Sequence, residues 1–160
     1  HELIQDGKIQ SVLNSNIFTY GRGQFRQTLE EDGIYSRRFA RYLLFKLDVL
    51  YAGPDTPLHI PSTWSVEHIL PQNPDSSSQW TKDFNEEQRE IWTHRIGNLV
   101  LLSRRKNSAQ GRRDFVDKKE SYFKNNVEVF PNSVRVMQKD KWDLDVLKMH
   151  HQEVVNMLCL

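Results

Sequence analysis

The sequence has a single cysteine, Cys159, and no long hydrophobic run. One cysteine cannot form an intramolecular disulfide, and a structural zinc bound by a Cys-x-x-Cys pair is excluded. The longest apolar stretch, residues 96–102, is interrupted by Gly97 and Asn98, and a transmembrane helix needs roughly 18 apolar residues. These absences exclude a secreted disulfide-rich toxin and a transmembrane protein, and they predict a protein of the reducing cytoplasm.

The chain also lacks a strong net charge. Its 160 residues carry 22 Lys and Arg against 21 Asp and Glu, a formal net charge of +1, which argues against a histone-like basic protein. The length is typical of one domain, so we expect one hydrophobic core. The first residue is His1 and no signal-like opening follows, so we expect a C-terminal fragment of a longer protein.

The charges are nevertheless unevenly distributed along the chain. Between Arg104 and Lys124 there are eight basic and three acidic residues, a local net charge of +5, whereas the remaining residues sum to −4. A basic patch on a nearly neutral protein is expected where one face meets a polyanion. A solvated helix face explains the charge equally well, so charge alone leaves both interpretations open.

Apolar periodicity and capping residues predict the secondary structure. Helices are expected at residues 2–13, from Ser36 as N-cap to about residue 51, at 85–93, from 107 or 108 to 124, and from an Asp143 cap to 158. Residues 63–70 and 98–102 read as strands, and a loop is expected through Pro131. Most of the four tryptophans and His150-His151 are expected to be structural, with a surface position left open for the two histidines.

Four residues in three segments suit phosphodiester hydrolysis, which needs a base to activate water and a hard cation to polarise the phosphate. His68 can act as the base because imidazole titrates near neutral pH. Glu67 and Asn107 offer the oxygen ligands that Mg²⁺ prefers. Asn98 can hydrogen-bond the imidazole or the loop that carries it.

The position of Glu67 next to His68 sets a geometric condition. Neighbouring residues of a strand point to opposite faces, so the two side chains meet only if the strand ends or bulges there. Pro71 favours such an ending. His94, four residues before Asn98, is a further candidate, with a place near the phosphate or a packing role both open.

The segments Glu-His-Ile-Leu-Pro-Gln at 67–72 and Gly-Asn-Leu-Val-Leu-Leu at 97–102, with Asn107 nine residues after Asn98, resemble the HNH, or ββα-metal, nuclease motif. Residues 94–99 and 115–119 most resemble the carboxy-terminal domain of GmrSD-type type IV restriction enzymes, a group that includes the SspE-like phage-defence effectors. The HNH resemblance covers about residues 64–124.

This resemblance implies an α+β, mostly α-helical fold with a small ββα-metal core of two short antiparallel strands and a helix. Residues 1–160 would form one nuclease domain. Its parts would be a helical flank at 1–60, the ββα-metal core at 61–125 and a C-terminal helical flank at 126–160.

The resemblance also implies a role for each motif residue. His68 matches the general base, Glu67 and Asn107 match the metal ligands, and Asn98 matches the residue that steadies the loop carrying the histidine. One Mg²⁺ or Mn²⁺ per site is expected, and no zinc. Many HNH nucleases have Asp where Glu67 stands, so its metal contact is either direct or through water.

The expected partner is DNA, bound mainly through its backbone. The predicted DNA-binding residues are Arg104, Arg105, Lys106, Arg112, Arg113, Lys118 and Lys119. An N-terminal NTP-hydrolysing sensor domain of the same parent protein is implied by the resemblance, as is a bacterial cytoplasmic location without a membrane.

The sequence therefore predicts a metal-dependent DNA endonuclease or nickase of a bacterial anti-phage restriction system. Nicking is the expected outcome because a lone site cuts one strand per encounter. The alternative is a catalytically degenerate HNH fold that binds DNA or docks a partner, and an HNH domain from another setting is a third interpretation.

Overall fold

The computed structural model describes residues 21–58, 63–103, 111–123 and 130–160. Predictions for the helix at 2–13 and for Arg104, Arg105, Lys106 and Asn107 lie outside these ranges. The described residues form seven α-helices and a two-stranded antiparallel sheet, which confirms the predicted mostly helical α+β class.

Among the described residues, two helices precede the sheet. Helix α1 spans Arg22–Leu29, a 3₁₀ turn follows at Ile34–Ser36, and helix α2 spans Ala40–Ala52. The prediction that Ser36 caps α2 is wrong, because its hydroxyl donates to the Gly33 carbonyl at 2.8 Å within the 3₁₀ turn. Helix α2 ends as predicted at Gly53, whose φ of 83° favours glycine.

The sheet consists of β1 (Trp64–His68) and β2 (Leu99–Ser103), as predicted. His68 lies opposite Leu99. Alternate residues of β2 face two different hydrophobic cores: Leu99 and Leu101 pack with α2, whereas Val100 and Leu102 pack on the other side. The sheet therefore separates two apolar clusters, and the end of β1 lies between them.

The segment between the strands forms two short helices. Helix α3 spans Gln79–Asp83 and helix α4 spans Glu86–Trp92. Asn85 and Gln88 form a reciprocal capping box at the start of α4, which confirms the helix predicted there. A second 3₁₀ turn at Ile96–Asn98 leads directly into β2.

After the sheet, the part of the chain that the structure describes forms three helices: α5 (Phe115–Phe123), α6 (Pro131–Met137) and α7 (Leu144–Leu158). The described residues before Phe115, 111–114, are not helical, so the basic helix is shorter there than predicted. Helix α6 was not predicted, and it begins at Pro131, through which the sequence predicted a loop. Asp143 caps α7 as expected by accepting from the Val146 amide at 3.0 Å. Within the described ranges, no helix has the length and apolar character needed to cross a bilayer.

Helix α7 packs against the 3₁₀ turn that precedes β2. A Cβ at Gly97 would lie 2.5 Å from the Cα of His151, so this close approach requires glycine. The Gly97 amide also donates to His151 Nδ1 at 3.3 Å. His150 and His151 are both buried, as are Trp80 and Trp142, which confirms structural positions for these four side chains.

Candidate active site

His68 is the last residue of β1, and its ring is enclosed by side chains from three other segments. Its Nδ1 lies 3.3 Å from the Gln72 amide nitrogen, and its Nε2 lies 3.2 Å from His94 Nδ1. The ring of Tyr35 meets the imidazole edge-on with centroids 4.4 Å apart. Because only 6% of the residue is exposed, these contacts fix the orientation of the ring.

This environment keeps His68 neutral. Burial, together with the neighbouring His94 and Lys118, lowers the pKa of the imidazole to about 3. At neutral pH the ring therefore has one nitrogen that carries a proton and one that can accept a proton.

Tyr35 contacts His68 from outside the predicted site, and His94, the further candidate, contacts it as well. Tyr35, in the 3₁₀ turn before α2, stacks on His94 with centroids 5.5 Å apart, and its amide donates to the His94 carbonyl at 3.2 Å. The sequence left the position of His94 open, and the structure places it beside His68. Tyr35 carries no local sequence signal, because the fold alone brings it next to the end of β1.

Asn98 holds the segment that follows His68. Its Oδ1 accepts from the Leu70 amide at 2.8 Å, and its Nδ2 donates to the Leu70 and Thr93 carbonyls at 2.9 and 2.8 Å. Its backbone carbonyl accepts from Ile69 at 3.0 Å. A fully buried side chain with this many partners fixes the path of the chain immediately after the imidazole.

Glu67 faces a different element. Its Oε1 accepts from Lys118 Nζ at 2.8 Å, and the same ammonium donates to the His68 carbonyl at 2.7 Å. Burial raises the pKa of Glu67 and lowers that of Lys118, while their mutual attraction opposes both shifts. The pair connects β1 to α5 beneath the site.

The ion pair of Glu67 with Lys118 concerns two predictions: the DNA contact expected of Lys118, and the relative orientation of Glu67 and His68. Lys118 has no exposed surface, so its position does not suit the DNA contact expected for it. Glu67 and His68 belong to a regularly paired strand and reach different neighbours, in keeping with the opposite-face geometry of a strand.

Whether Glu67 can bind a metal ion depends on which of its carboxylate oxygens is free of other partners. Lys118 takes Oε1, and the second carboxylate oxygen is a hard donor of the kind that Mg²⁺ binds. The described residues contain no group of three His, Cys, Asp or Glu side chains placed to hold a metal, and Asn107 lies outside them. Glu67 thus fits as one ligand of a site that other donors would have to complete.

The remaining predicted DNA-binding residues in the described ranges reach the surface. Arg112 lies 3.3 Å from Asp75, with 64% of its side chain exposed. The Arg113 guanidinium donates to Ser121 at 2.8 Å, and the Lys119 ammonium donates to the Lys139 carbonyl at 2.9 Å. Their positions are compatible with backbone contacts, which stay predictions.

Comparison with known proteins identifies the family of this chain. The search of curated proteins and the search of solved structures each find no match to this chain. A family model described as GmrSD restriction endonucleases, C-terminal domain, matches residues 21–157. This span contains β1, β2 and all the described site residues. The chain therefore belongs to the family of C-terminal domains of GmrSD restriction endonucleases, as its motifs predicted.

Proposed function

We propose that this domain is a metal-dependent DNA endonuclease, acting as a nickase, in a bacterial anti-phage restriction system. Family membership supports the restriction-endonuclease class. The observation that carries the catalytic part is the neutral imidazole of His68, held between Gln72 and His94 at the end of a strand. Such a ring is ready to accept a proton from water.

The two ring nitrogens of His68 have different surroundings, which suggests their roles. Gln72 is exposed, so its amide can yield the space beside Nδ1 to a water molecule. His94 is half-buried and stacked on Tyr35, so it stays in place and accepts the proton on Nε2. We therefore assign Nδ1 as the nitrogen that accepts the proton of the attacking water.

Hydrolysis then proceeds by in-line attack on phosphorus. One P–O bond forms to the water oxygen, whose proton passes to His68 Nδ1, and the P–O ester bond on the opposite side breaks. The leaving oxygen departs with the bonding electron pair and takes a proton from solvent. The negative phosphate next to the ring raises the pKa of His68 from its low value and so strengthens the base.

Glu67 and Asn107 are the proposed holders of one Mg²⁺ or Mn²⁺. When bound, the metal polarises the phosphate and stabilises the leaving oxygen. Lys118 fixes the Glu67 carboxylate in one orientation through Oε1. Asn98 acts on the same site as a positioning residue, because it holds the backbone of residues 69–70.

The remaining parts of the proposal concern partners and location. Arg112, Arg113 and Lys119 would contact the DNA backbone together with the basic residues at 104–106, and would position the duplex without reading its sequence. We propose that target choice comes from an NTP-hydrolysing sensor domain of the same parent protein, in the bacterial cytoplasm.

A plasmid assay tests the enzymatic proposal. Supercoiled plasmid is incubated with the wild-type chain and with His68→Ala, in Mg²⁺ and in Mn²⁺, and circular dichroism verifies that both are folded. Conversion to the open circle by the wild type, with loss of that conversion in His68→Ala, is the expected result. Equally intact plasmid for both proteins in every metal, with DNA bound, supports the binding-module alternative instead.

A further inference from the structure

A basic cleft lies on the side of the molecule where β1 meets the start of α2. It has a volume of about 350 Å³, and Arg37, Arg38 and Arg41 line it together with Tyr35 and Trp64. We call it the arginine groove. None of its lining residues in the described part of the chain is acidic, so the groove is strongly positive.

Tyr35 and strand β1 connect the arginine groove to His68. Tyr35 lines the groove and also contacts the imidazole, with ring centroids 4.4 Å apart. On the opposite wall, β1 runs from Trp64 in the groove to His68 at its end. A chain of phosphates lying in the groove is therefore led along one strand towards the proposed base.

A second cleft lies beside His68, and among its described lining residues the acidic side chains outnumber the arginines. Its volume is about 640 Å³, and it is lined by Gln72 and His94, the two partners of His68, but also by Glu86 and Glu90. The arginine among its described lining residues, Arg89, donates to the Phe84 carbonyl at 2.6 Å. The two carboxylates make this cleft less favourable than the arginine groove for a length of DNA backbone, and the cleft stays the side from which water reaches Nδ1 next to Gln72.

The three arginines differ in how freely they can meet a ligand. Arg38 is exposed and forms no ion pair or hydrogen bond with another described residue. Arg37 forms an ion pair with Glu31 at 2.7 Å. A surface ion pair of this kind is weak, so Arg37 can exchange Glu31 for a phosphate group. Arg41 lies over the Trp64 ring at 4.2 Å, which fixes the direction of its guanidinium.

We infer that the arginine groove holds the sugar–phosphate backbone of the DNA strand to be cut. Guanidinium groups bind phosphate oxygens with two parallel hydrogen bonds, and three of them line a cleft whose wall residue Tyr35 contacts the proposed base. This inference rests on the proposed function. It adds a second DNA-binding surface to the basic 104–124 segment that the sequence predicted.

The test is DNA binding without cleavage. Fluorescence anisotropy of a labelled 20-base-pair duplex is measured in EDTA across a series of KCl concentrations. The proteins are wild type, Arg38→Ala and the matched control Lys148→Ala, which removes one exposed positive charge on α7. Arg38 and Lys148 are both exposed, so thermal unfolding should show unchanged stability.

A lost phosphate contact has a defined signature. For Arg38→Ala, the slope of log Kobs against log [KCl] should become shallower by about 0.9, and binding should weaken for any duplex sequence. Lys148→Ala should keep the wild-type slope. Equal slopes for Arg38→Ala and wild type, or no DNA binding by the wild type, would overturn the inference.

The two proposals can fail separately. If plasmid nicking depends on His68 but Arg38→Ala binds DNA like the wild type, the nuclease stands and the groove assignment is wrong. If Arg38→Ala changes the salt dependence but the wild type never nicks, the groove binds DNA in a domain that does not cut it.

Discussion

At the scale of single residues, the site depends on side chains that hold one another. His68 lies between Gln72 and His94, and Tyr35 packs on both histidine rings. A buried neutral imidazole is useful as a base only if the correct nitrogen carries its proton. The hydrogen-bonding partners of the ring therefore decide whether His68 can work.

His94→Ala tests this dependence. Removing the acceptor beside His68 Nε2 should leave the proton free to occupy either nitrogen. We expect plasmid nicking to slow by about 10- to 100-fold, as for other misplaced catalytic groups. The direct readout is ¹⁵N NMR of the His68 ring, whose two nitrogen shifts should move towards each other.

His94→Gln provides the control for this experiment. Its amide oxygen can accept the same proton, so the variant should recover part of the activity and the separated nitrogen shifts. A loss of nicking in His94→Ala with unchanged ring shifts would show that His94 does not act through the tautomer of His68.

Asn98 is expected to contribute mainly to stability. Asn98→Ala leaves the Leu70 amide and the Leu70 and Thr93 carbonyls without their partner, and each buried unpaired group costs about 1–3 kcal/mol. The free energy of unfolding should fall by about 3 kcal/mol or more, measured by urea unfolding with tryptophan fluorescence. The exposed Asn73→Ala should change it by less than about 0.5 kcal/mol, and similar losses in both variants would refute this role.

At the scale of elements, the contact between β1 and α5 depends on the buried pair of Glu67 and Lys118. Lys118→Met leaves a carboxylate without compensation in a buried position, which typically costs about 3–5 kcal/mol. The double variant Glu67→Gln/Lys118→Met removes both charges and should recover much of that loss. Chemical denaturation of the single and double variants measures the difference.

Lys119→Met is the matched control because it makes the same substitution one position along α5. The Lys119 side chain is 32% exposed, so we expect a change below about 1 kcal/mol. A loss as large as that of Lys118→Met would mean that the helix, and not the ion pair, is sensitive to the substitution.

Elements with strong local signals were predictable from the sequence. Asn85 and Asp143 are side-chain caps of α4 and α7, and the apolar runs around His68 and Asn98 form the two strands. Helix α6 was missed because it is only seven residues long and begins at Pro131, where proline is equally typical of a loop. The start of α2 was misplaced because the 3₁₀ turn uses the hydroxyl of Ser36.

The site was predictable only in its motif residues. His68, Glu67 and Asn98 carry recognisable spacing, but Tyr35 and the ion pair of Lys118 with Glu67 depend on contacts between distant segments. Net charge per segment counts Lys118 as a surface cation, although its ammonium is fully buried. The charge of a segment cannot distinguish a surface lysine from a buried, paired one, because both occur on helices of mixed composition.

At the scale of the whole molecule, three buried histidines make stability depend on pH. Burial lowers the pKa of His150 and of His68 to about 3 and that of His151 to about 4. The unfolded chain binds protons from about pH 6.5 downwards, whereas the folded chain does not until a lower pH. The free energy of unfolding should therefore fall as the pH drops below about 6.5.

Asp48 acts in the opposite direction, because burial raises its pKa to about 7. Its contribution to the free energy of unfolding is lost as the pH rises from about 4 to 7.

The variant His150→Leu removes one of the three buried histidines. Between about pH 4 and 6, the free energy of unfolding of this variant should change less steeply with pH than that of the wild type, by up to about 1.4 kcal/mol per pH unit. Urea unfolding measures the difference. Curves parallel to the wild type would contradict the burial of a neutral His150.

The central claim is that His68 takes the proton of the attacking water. The most direct measurement is the initial rate of plasmid nicking in Mg²⁺ or Mn²⁺ by wild type, by His68→Ala, and by His68→Ala with added imidazole. We expect His68→Ala to lose about 100-fold or more, and imidazole to restore part of the rate in this variant without stimulating the wild type. Equal rates for wild type and His68→Ala would contradict the claim.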